Sequence, residues 1–277
     1  MPSSSILGKI GKATGLALFA VWSLVPIVMI VMSSFKADRD IFAVPLRWVF
    51  TPTFVNYETL VARWGDFFRA LANSLVITAG ATVLAIAAST LAGYAYSRYR
   101  GRALAFSAFF LIFIRLIPPI VITLPLFPVV NALGLNDTHL VLIILYATFF
   151  VSLGTLVMRT FIDQIPRELD EAASVDGASR GQIIRKIVLP LSAQGMIAVS
   201  VFVIVFAWNE FLFAFIFTAT RAKTAPLVIS EMIGAVEGVE WGVLFAASTV
   251  QLVPVLLFVV FAQKHLIAGL TAGATKG

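Results

Sequence analysis

The chain has no cysteine. That removes disulfides, thiolate chemistry and cysteine-ligated metals from consideration, and it says little about compartment. Histidine is nearly absent as well. His139 and His265 lie far apart in sequence, which argues against a histidine metal cluster and against a Ser-His hydrolase centre. Charge is scarce: 12% of the 277 residues are charged, 60% are hydrophobic, and mean hydropathy is +0.99. A soluble domain has no interior large enough for so much apolar surface, so lipid must solvate most of this chain. The net charge of +6 then reads as loop basicity that orients helices, not as a nucleic-acid footprint. The first apolar run is too long for a signal-peptide core and lacks a convincing small-residue cleavage site.

About 20 mostly apolar residues are needed to cross a bilayer. Six stretches qualify: about 13–35, 70–97, 104–130, 139–158, 190–218 and 242–263. The expected fold class is all-α, a polytopic membrane protein of six transmembrane helices in a single domain over residues 1–277. Arg115 is the one charge of the third stretch, and Glu210 interrupts the fifth. Pro118 and Pro119 break the third; such breaks are tolerated where the freed carbonyls face protein or water. The second stretch carries Ala81, Ala85, Ser89 and Gly93 at four-residue spacing, a small-residue stripe that lets another helix approach closely. The longest connection, about residues 36–69, has room for a short helix around Tyr57 to Arg63.

Lys and Arg in the loops set the orientation. With the N terminus inside, the cytoplasmic positives are Lys9, Lys12, Arg98, Arg100, Arg102, Arg159, Arg167, Arg180, Arg185, Lys186, Lys264 and Lys276. The outside receives Lys36, Arg39, Arg47, Arg63, Arg69, Arg221 and Lys223. The bias favours N-in and C-in, and the cluster Arg98, Arg100, Arg102 is its firmest pointer. The loop at about 163–190 is then cytoplasmic.

That loop holds the densest charge in the chain. Pro166 suits a first helical turn, and Glu168, Asp170 and Glu171 complement the positive end of a helix dipole. Leu169, Ala172 and Ala173 share a face whose small residues permit close docking. Gly177 is able to take the left-handed conformation that stops a helix. Ser179 with Gln182 forms the S-x-x-Q pattern of a capping box, and Ile183, Ile184, Ile187, Val188 and Leu191 make an apolar stripe. Pro190 fits a bend where the chain enters the fifth stretch. The expectation is two short helices hinged at a glycine, the first built to dock into another protein. The alternative is a solvated connector with a surface-lying amphipathic helix.

The segment "EAASVDGASRGQIIRKIVLPLS" resembles the EAA loop of inner-membrane permeases of ABC importers. The pattern is met by Glu171, Ala172, Ala173, Gly177, Ile187, Leu189 and Pro190. Other pieces resemble the carbohydrate branch, in particular its MalG-like subunits: Asn56-Tyr57, Asn73 to Leu75, Ile117 to Pro119, "FAWNEFLFA" at Phe206 to Ala214, and "GLTAGATKG" at Gly269 to Gly277. The resemblance implies the type I ABC importer permease (MetI-like) fold. It implies four kinds of partner: the lipid bilayer, a second, MalF-like permease, a dimer of cytoplasmic ATPase subunits, and an extracytoplasmic substrate-binding protein. ATP and Mg are expected on the ATPase subunits, with no cofactor, metal or catalytic residue in this chain. Neither "GKIGKAT" nor "GATKG" has the spacing of a phosphate-binding loop. The helix at Glu168 to Val175, with Asp176 beside it, is implied to be the coupling helix. Lys276 belongs to a tail implied to reach toward the ATPase.

Within the fifth stretch, Trp208, Asn209 and Glu210 are candidates for the translocation path or for the contact between permeases. A carboxylate at membrane depth is costly unless it faces protein or water, so Glu210 could equally bond a neighbouring helix. Trp208 could stack on a sugar face or serve packing alone. Arg115 has three open roles: pairing with Glu210, snorkelling, or holding an anionic or hydroxyl-rich substrate. Pro118 marks the break beside it. The outer loop from Thr218 to Trp241 offers Ala225, Pro226, Leu227, Glu231, Glu237 and Glu240 as contacts for a binding protein, or forms a solvated turn. Against all this stands a secondary transporter or channel for a small polar solute, which needs midplane ion-coupling groups or inverted repeats; only Arg115 and Glu210 are charged there.

Overall fold

The computed structural model describes residues 6–236 and 238–274. Among them every regular element is helical. α1 (Ile6–Ser34), α2 (Asp38–Ile41), α3 (Val55–Arg63) and α4 (Asp66–Arg98) come first. α5 (Arg102–Phe113) runs through a tight turn to Leu116, and α6 (Pro119–Ala132) and α7 (His139–Ile162) follow. α8 (Arg167–Val175) and α9 (Arg180–Ile183) lead through a widened π turn, Ile184–Val188, into α10 (Leu189–Leu191). The chain continues with α11 (Ala193–Asn209), α12 (Leu212–Phe217), α13 (Ala225–Ile233) and α14 (Trp241–Ala274).

Among the described residues, four helical segments are each long and apolar enough to cross a bilayer: Ile10–Ser34, Asp66–Arg98, His139–Ile162 and Trp241–Gln263. Two pairs qualify only jointly. Arg102–Leu116 with Pro119–Ala132 is bent by 99°, and Arg180–Leu191 with Ala193–Asn209 by 76°. The first bend follows from the two prolines. A residue before proline is pushed to extended geometry, and Ile117 (φ −81, ψ 120) and Pro118 (φ −58, ψ 136) both take it. Pro119 then sits where a helix begins without missing its amide. The run expected at 190–218 is not one helix. It bends at Ser192, stops at Asn209, passes through an extended Glu210 (φ −70, ψ 130), and restarts at Leu212.

The chain divides into two compact units. One comprises the described residues up to Phe67 together with Ile229–Val253. In it the end of α1 is held by α3, which begins two residues earlier than the short helix expected at Tyr57. Asn56 donates to the carbonyls of Ser34 (2.9 Å) and Lys36 (2.8 Å), the first a group that the end of α1 leaves without an intrahelical partner. Tyr57 shares a 2.8 Å hydroxyl bond with Ser34. These bonds give the Asn-Tyr pair its structural reason.

The other unit runs from Phe68 to Val228 and resumes at Pro254. Its interior has two apolar clusters. One gathers Ile77, Ala81, Leu142, Tyr146, Phe213 and Phe217; the other gathers Ala85, Tyr94, Met158, Ile162, Ile183, Val188 and Val199. The small-residue stripe of α4 faces α7. Ala81, Ala85 and Ser89 are fully buried, Ser89 donates to the Val151 carbonyl (3.4 Å), and a Cβ on Gly93 would stand 2.9 Å from the backbone nitrogen of Arg159. Outward faces are apolar instead of polar, with Phe106, Phe109 and Leu124 all exposed, as a lipid solvent requires.

Candidate functional site

The charged loop folds as its local chemistry dictates. α8 starts after Pro166, which occupies the cap position and not the first turn. It ends in a Schellman motif: Ala178 N–H bonds the Ala173 carbonyl (2.9 Å), Gly177 N–H bonds that of Ser174 (3.1 Å), and Gly177 has φ +82. Two residues on, Ser179 and Gln182 cap each other to start α9: Ser179 N–H donates to Gln182 Oε1 (2.7 Å) and Gln182 N–H to Ser179 Oγ (3.4 Å). Pro190 has no amide to give the preceding turn, and the π turn ends two residues before it, at Val188.

The faces of this loop divide cleanly. Ile183 and Val188 are buried, with Ile184, Ile187, Ala173 and Ala178 packed beside them. Ala173 therefore serves the chain's own core and leaves the exposed face that it was expected to share. Leu189 is half-buried and Pro190 exposed. Glu168, Leu169, Glu171, Ala172, Val175 and Asp176 are exposed, so α8 presents three apolar side chains beside carboxylates, unlike the lipid-facing helices around it.

One acid of α8 points the other way. Asp170 is buried and accepts from Arg98 Nε at 2.7 Å and from the Tyr94 hydroxyl at 3.2 Å. Both side chains of the ion pair are under a tenth exposed. Arg98 also donates to the carbonyls of Ile165 (3.1 Å) and Ile162 (3.4 Å), and Arg167 to that of Ser97 (2.6 Å). The last turn of α4 thus grips the start of α8. From sequence, Arg98 reads as an orienting charge and Asp170 as one of three acids at a helix start. Seventy-two positions separate them, and no local pattern announces such a pair.

A second polar knot joins the opposite end of α4 to the chain after α12. Asn73 donates to the carbonyls of Arg221 and Lys223, each at 2.9 Å, while its oxygen meets His139 Nε2 at 2.7 Å. Ser74 Oγ accepts from Ala225 N–H (2.9 Å). Beside them Asp137, with φ +56, accepts the amides of Ala219 (3.1 Å), Thr220 (3.2 Å), Arg221 (3.0 Å) and Ala222 (3.0 Å) and the Thr220 hydroxyl (2.9 Å). Burial acts to raise the carboxyl, but these donors outweigh it and hold Asp137 well below the usual carboxylate range. A carboxylate depressed on folding adds stability that is complete above its unfolded value, near 4, and is lost as pH falls toward the folded one. Asp137→Asn is therefore expected to lower the thermal midpoint in detergent at pH 7, by a loss of about 2 kcal/mol. The gap to wild type should narrow at pH 3, and a gap independent of pH contradicts the assignment.

The residues expected inside the membrane serve more local ends. Arg115 donates to the Phe149 carbonyl (3.1 Å) and Ser152 Oγ (3.3 Å), with its guanidinium over the Phe149 ring at 5.1 Å. It is bound to α7 and not paired with Glu210. Glu210 instead accepts the amides of Phe213 (2.9 Å) and Ala214 (3.4 Å), restarting the helix after the break. Asn209 bonds back to the Val205 carbonyl (2.7 Å). Trp208 is buried and borders a cavity of about 380 Å³ with Thr78, Thr82, Ile204, Pro254 and Phe258. Ala225 and Leu227 are buried in their own unit and do not form a contact surface; Pro226 and Glu231 are half-exposed. Glu240 pairs with Arg63 at 2.6 Å. Glu237 and Lys276 lie outside the described residues.

Residues 85–271 match the family described as binding-protein-dependent transport system inner membrane component. The chain belongs to that family. It is accordingly a multi-pass inner-membrane permease of an ABC importer that works with a binding protein, and ATP hydrolysis lies in partner subunits. The permease is 39% identical over 232 residues to the trehalose transport system permease SugB of Mycobacterium tuberculosis, covering 82% of this chain and 83% of that one. It is 33% identical over 276 residues to the trehalose/maltose transport system permease MalG of Thermococcus litoralis, covering 98% of each. Its fold is similar to a chain of a bacterial ABC transporter involved in importing the polysaccharide alginate, with TM-score 0.78, 24% identity, and coverage of 95% and 98%.

Proposed function

We propose that this permease imports a carbohydrate or related polyol, lies N-in and C-in, and takes its energy through α8 from one member of an ATPase dimer. A second, MalF-like permease completes the path, and ATP with Mg is held by the ATPase subunits. The observation that carries the reading is the exposed acidic and apolar face of α8, fixed in place by its own buried side. Glu168, Glu171 and Asp176 are the groups for basic residues of an ATPase groove, with Leu169 and Ala172 filling it. The sugar class rests on the relatives named for trehalose and maltose. Trp208 offers an aromatic wall and Thr78 and Thr82 hydroxyl-bearing side chains to the cavity they border. ATP binding closes the ATPase dimer, moves the docked helices and shifts the bundle from inward-open to outward-open; hydrolysis returns it.

The natural absence of cysteine makes the test direct. Val236→Cys and Ser179→Cys place single thiols at exposed positions. In intact cells an impermeant maleimide should label the first and reach the second only after permeabilisation. The purified transporter with its binding protein should then take up labelled trehalose or maltose in proteoliposomes only with ATP inside. Labelling of Ser179→Cys from outside, or uptake driven by an ion gradient without ATP, defeats the proposal.

A further inference from the structure

We infer that α4 is the transmission rod of this permease, and that Arg98 and Asp170 are the positioning residues that fasten it to the ATPase-docking helix. The inference rests on the docking role proposed for α8 and adds the route by which its movement leaves the cytoplasmic end.

Three observations carry it. First, α8 is fastened to the last turn of α4 by a dense polar joint: the buried Arg98–Asp170 pair, the Tyr94–Asp170 bond, the Arg167–Ser97 bond, and the Arg98 bonds to Ile162 and Ile165. A buried pair of this kind is costly to open, because each charge is left without water or partner. Second, α4 is one unbroken helix of 33 residues without proline, longer than α7, which has 24 and also lacks proline, whereas α1, α6 and α14 carry internal prolines and the fifth stretch is broken. Between Asn73 and Arg98 it covers about 37 Å, at about 1.5 Å per residue, enough to cross the hydrocarbon core. Third, the far end is fastened too. Asn73 holds the carbonyls of Arg221 and Lys223, and Ser74 holds the amide of Ala225. A displacement of α8 therefore moves the 221–225 turn with little slack, and the same rod carries the arrival of a binding protein back to the motor.

The test uses the complete transporter in proteoliposomes, with stimulation of ATP hydrolysis by loaded binding protein as the readout. Co-purification of all subunits and unstimulated hydrolysis serve as assembly controls. Asp170→Asn and Arg98→Gln are each expected to cut stimulation about tenfold in complexes that assemble normally. The exchange Arg98→Asp with Asp170→Arg should recover at least a third of it. Asn73→Ala removes its two bonds to the 221–225 turn, loosens the other end and should cut stimulation as well, although it lies far from the ATPase. A merely structural joint would lower the yield of complex and leave stimulation per complex unchanged, and that result overturns the inference. So do full stimulation in assembled single variants and failure of the exchange to recover any. Glu171→Lys in the same assay separates the two readings. If it is silent, α8 does not dock; if it acts while the Arg98 and Asp170 variants do not, α8 docks but α4 is not its rod.

Discussion

Gly177→Pro is expected to abolish the stimulation of ATP hydrolysis by loaded binding protein, while the permease still inserts and its spanning helices still fold. The native residue has φ +82, and proline is locked near −65°. Proline also removes the Gly177 amide that bonds the Ser174 carbonyl. The Schellman turn that ends α8 is then lost, and α8 leaves the angle set by the Ser179–Gln182 box of α9. Nothing lies within 4 Å of the place a Gly177 side chain would take, so the damage is to backbone direction and not to packing. Gly177→Ala is the graded form. It keeps the amide, meets no clash, bears only the strain of positive φ, and should lose a fraction of the stimulation. Glu171→Lys weakens the stimulation by another route. It leaves α8 intact and reverses one charge of the exposed face, so stimulation should fall about tenfold, equivalent to about 1.4 kcal/mol of lost docking. Hydrolysis assays on the reconstituted transporter check both. Full stimulation in either one removes α8 from the energy path.

The two changes also show which parts of the site a sequence makes legible. The turn after α8 was readable because its chemistry is local. A glycine three residues past Ser174 and a serine three residues before Gln182 announce a stop and a start within a few positions. The fold class was readable because long apolar runs have one stable answer in lipid. What the sequence hid was pairing across distance. Asp170 looks like one more acid in a first turn, and only the folded chain sets it against Arg98 while Glu168 and Glu171 stay outside. Glu210 misled for a related reason. Its neighbours are apolar enough that the run from 190 reads as continuous, yet its carboxylate serves the amides freed by a helix break, which hydropathy does not register. For Arg115 the sequence leaves three roles open, pairing with Glu210 among them, and its partners in the fold are a backbone carbonyl, a hydroxyl and an aromatic face.

Gly93→Val is expected to have the largest effect on folding, a destabilisation of about 3 kcal/mol seen as a lower thermal midpoint and a lower yield of permease. The reason lies in how α4 and α7 meet. A Cβ at position 93 stands 2.9 Å from the Arg159 backbone nitrogen and 2.9 Å from the Met158 Cβ. The first of these is main chain and has no rotamer to yield. The helices must therefore separate, and the contacts around fully buried Met158 and Ser89 are lost with them. Without a hydrophobic drive between helices in lipid, such close packing is what holds them together. Gly181→Ala is the control. Position 181 has open space around it and sits in a helix, so alanine there should be neutral or slightly stabilising. Equal effects at 93 and 181 would mean that the small-residue stripe is not a packing surface. Gly93 adjoins Tyr94, which holds Asp170, so Gly93→Ala, the milder change, bears on coupling too. Alanine brings the same Cβ to 2.9 Å from the Arg159 nitrogen, without valine's further methyl groups, so α4 should still shift against α7. Complexes that assemble with it are expected to show weaker stimulation of hydrolysis in step with their lower midpoint, because one helix both packs the bundle and carries the joint to α8.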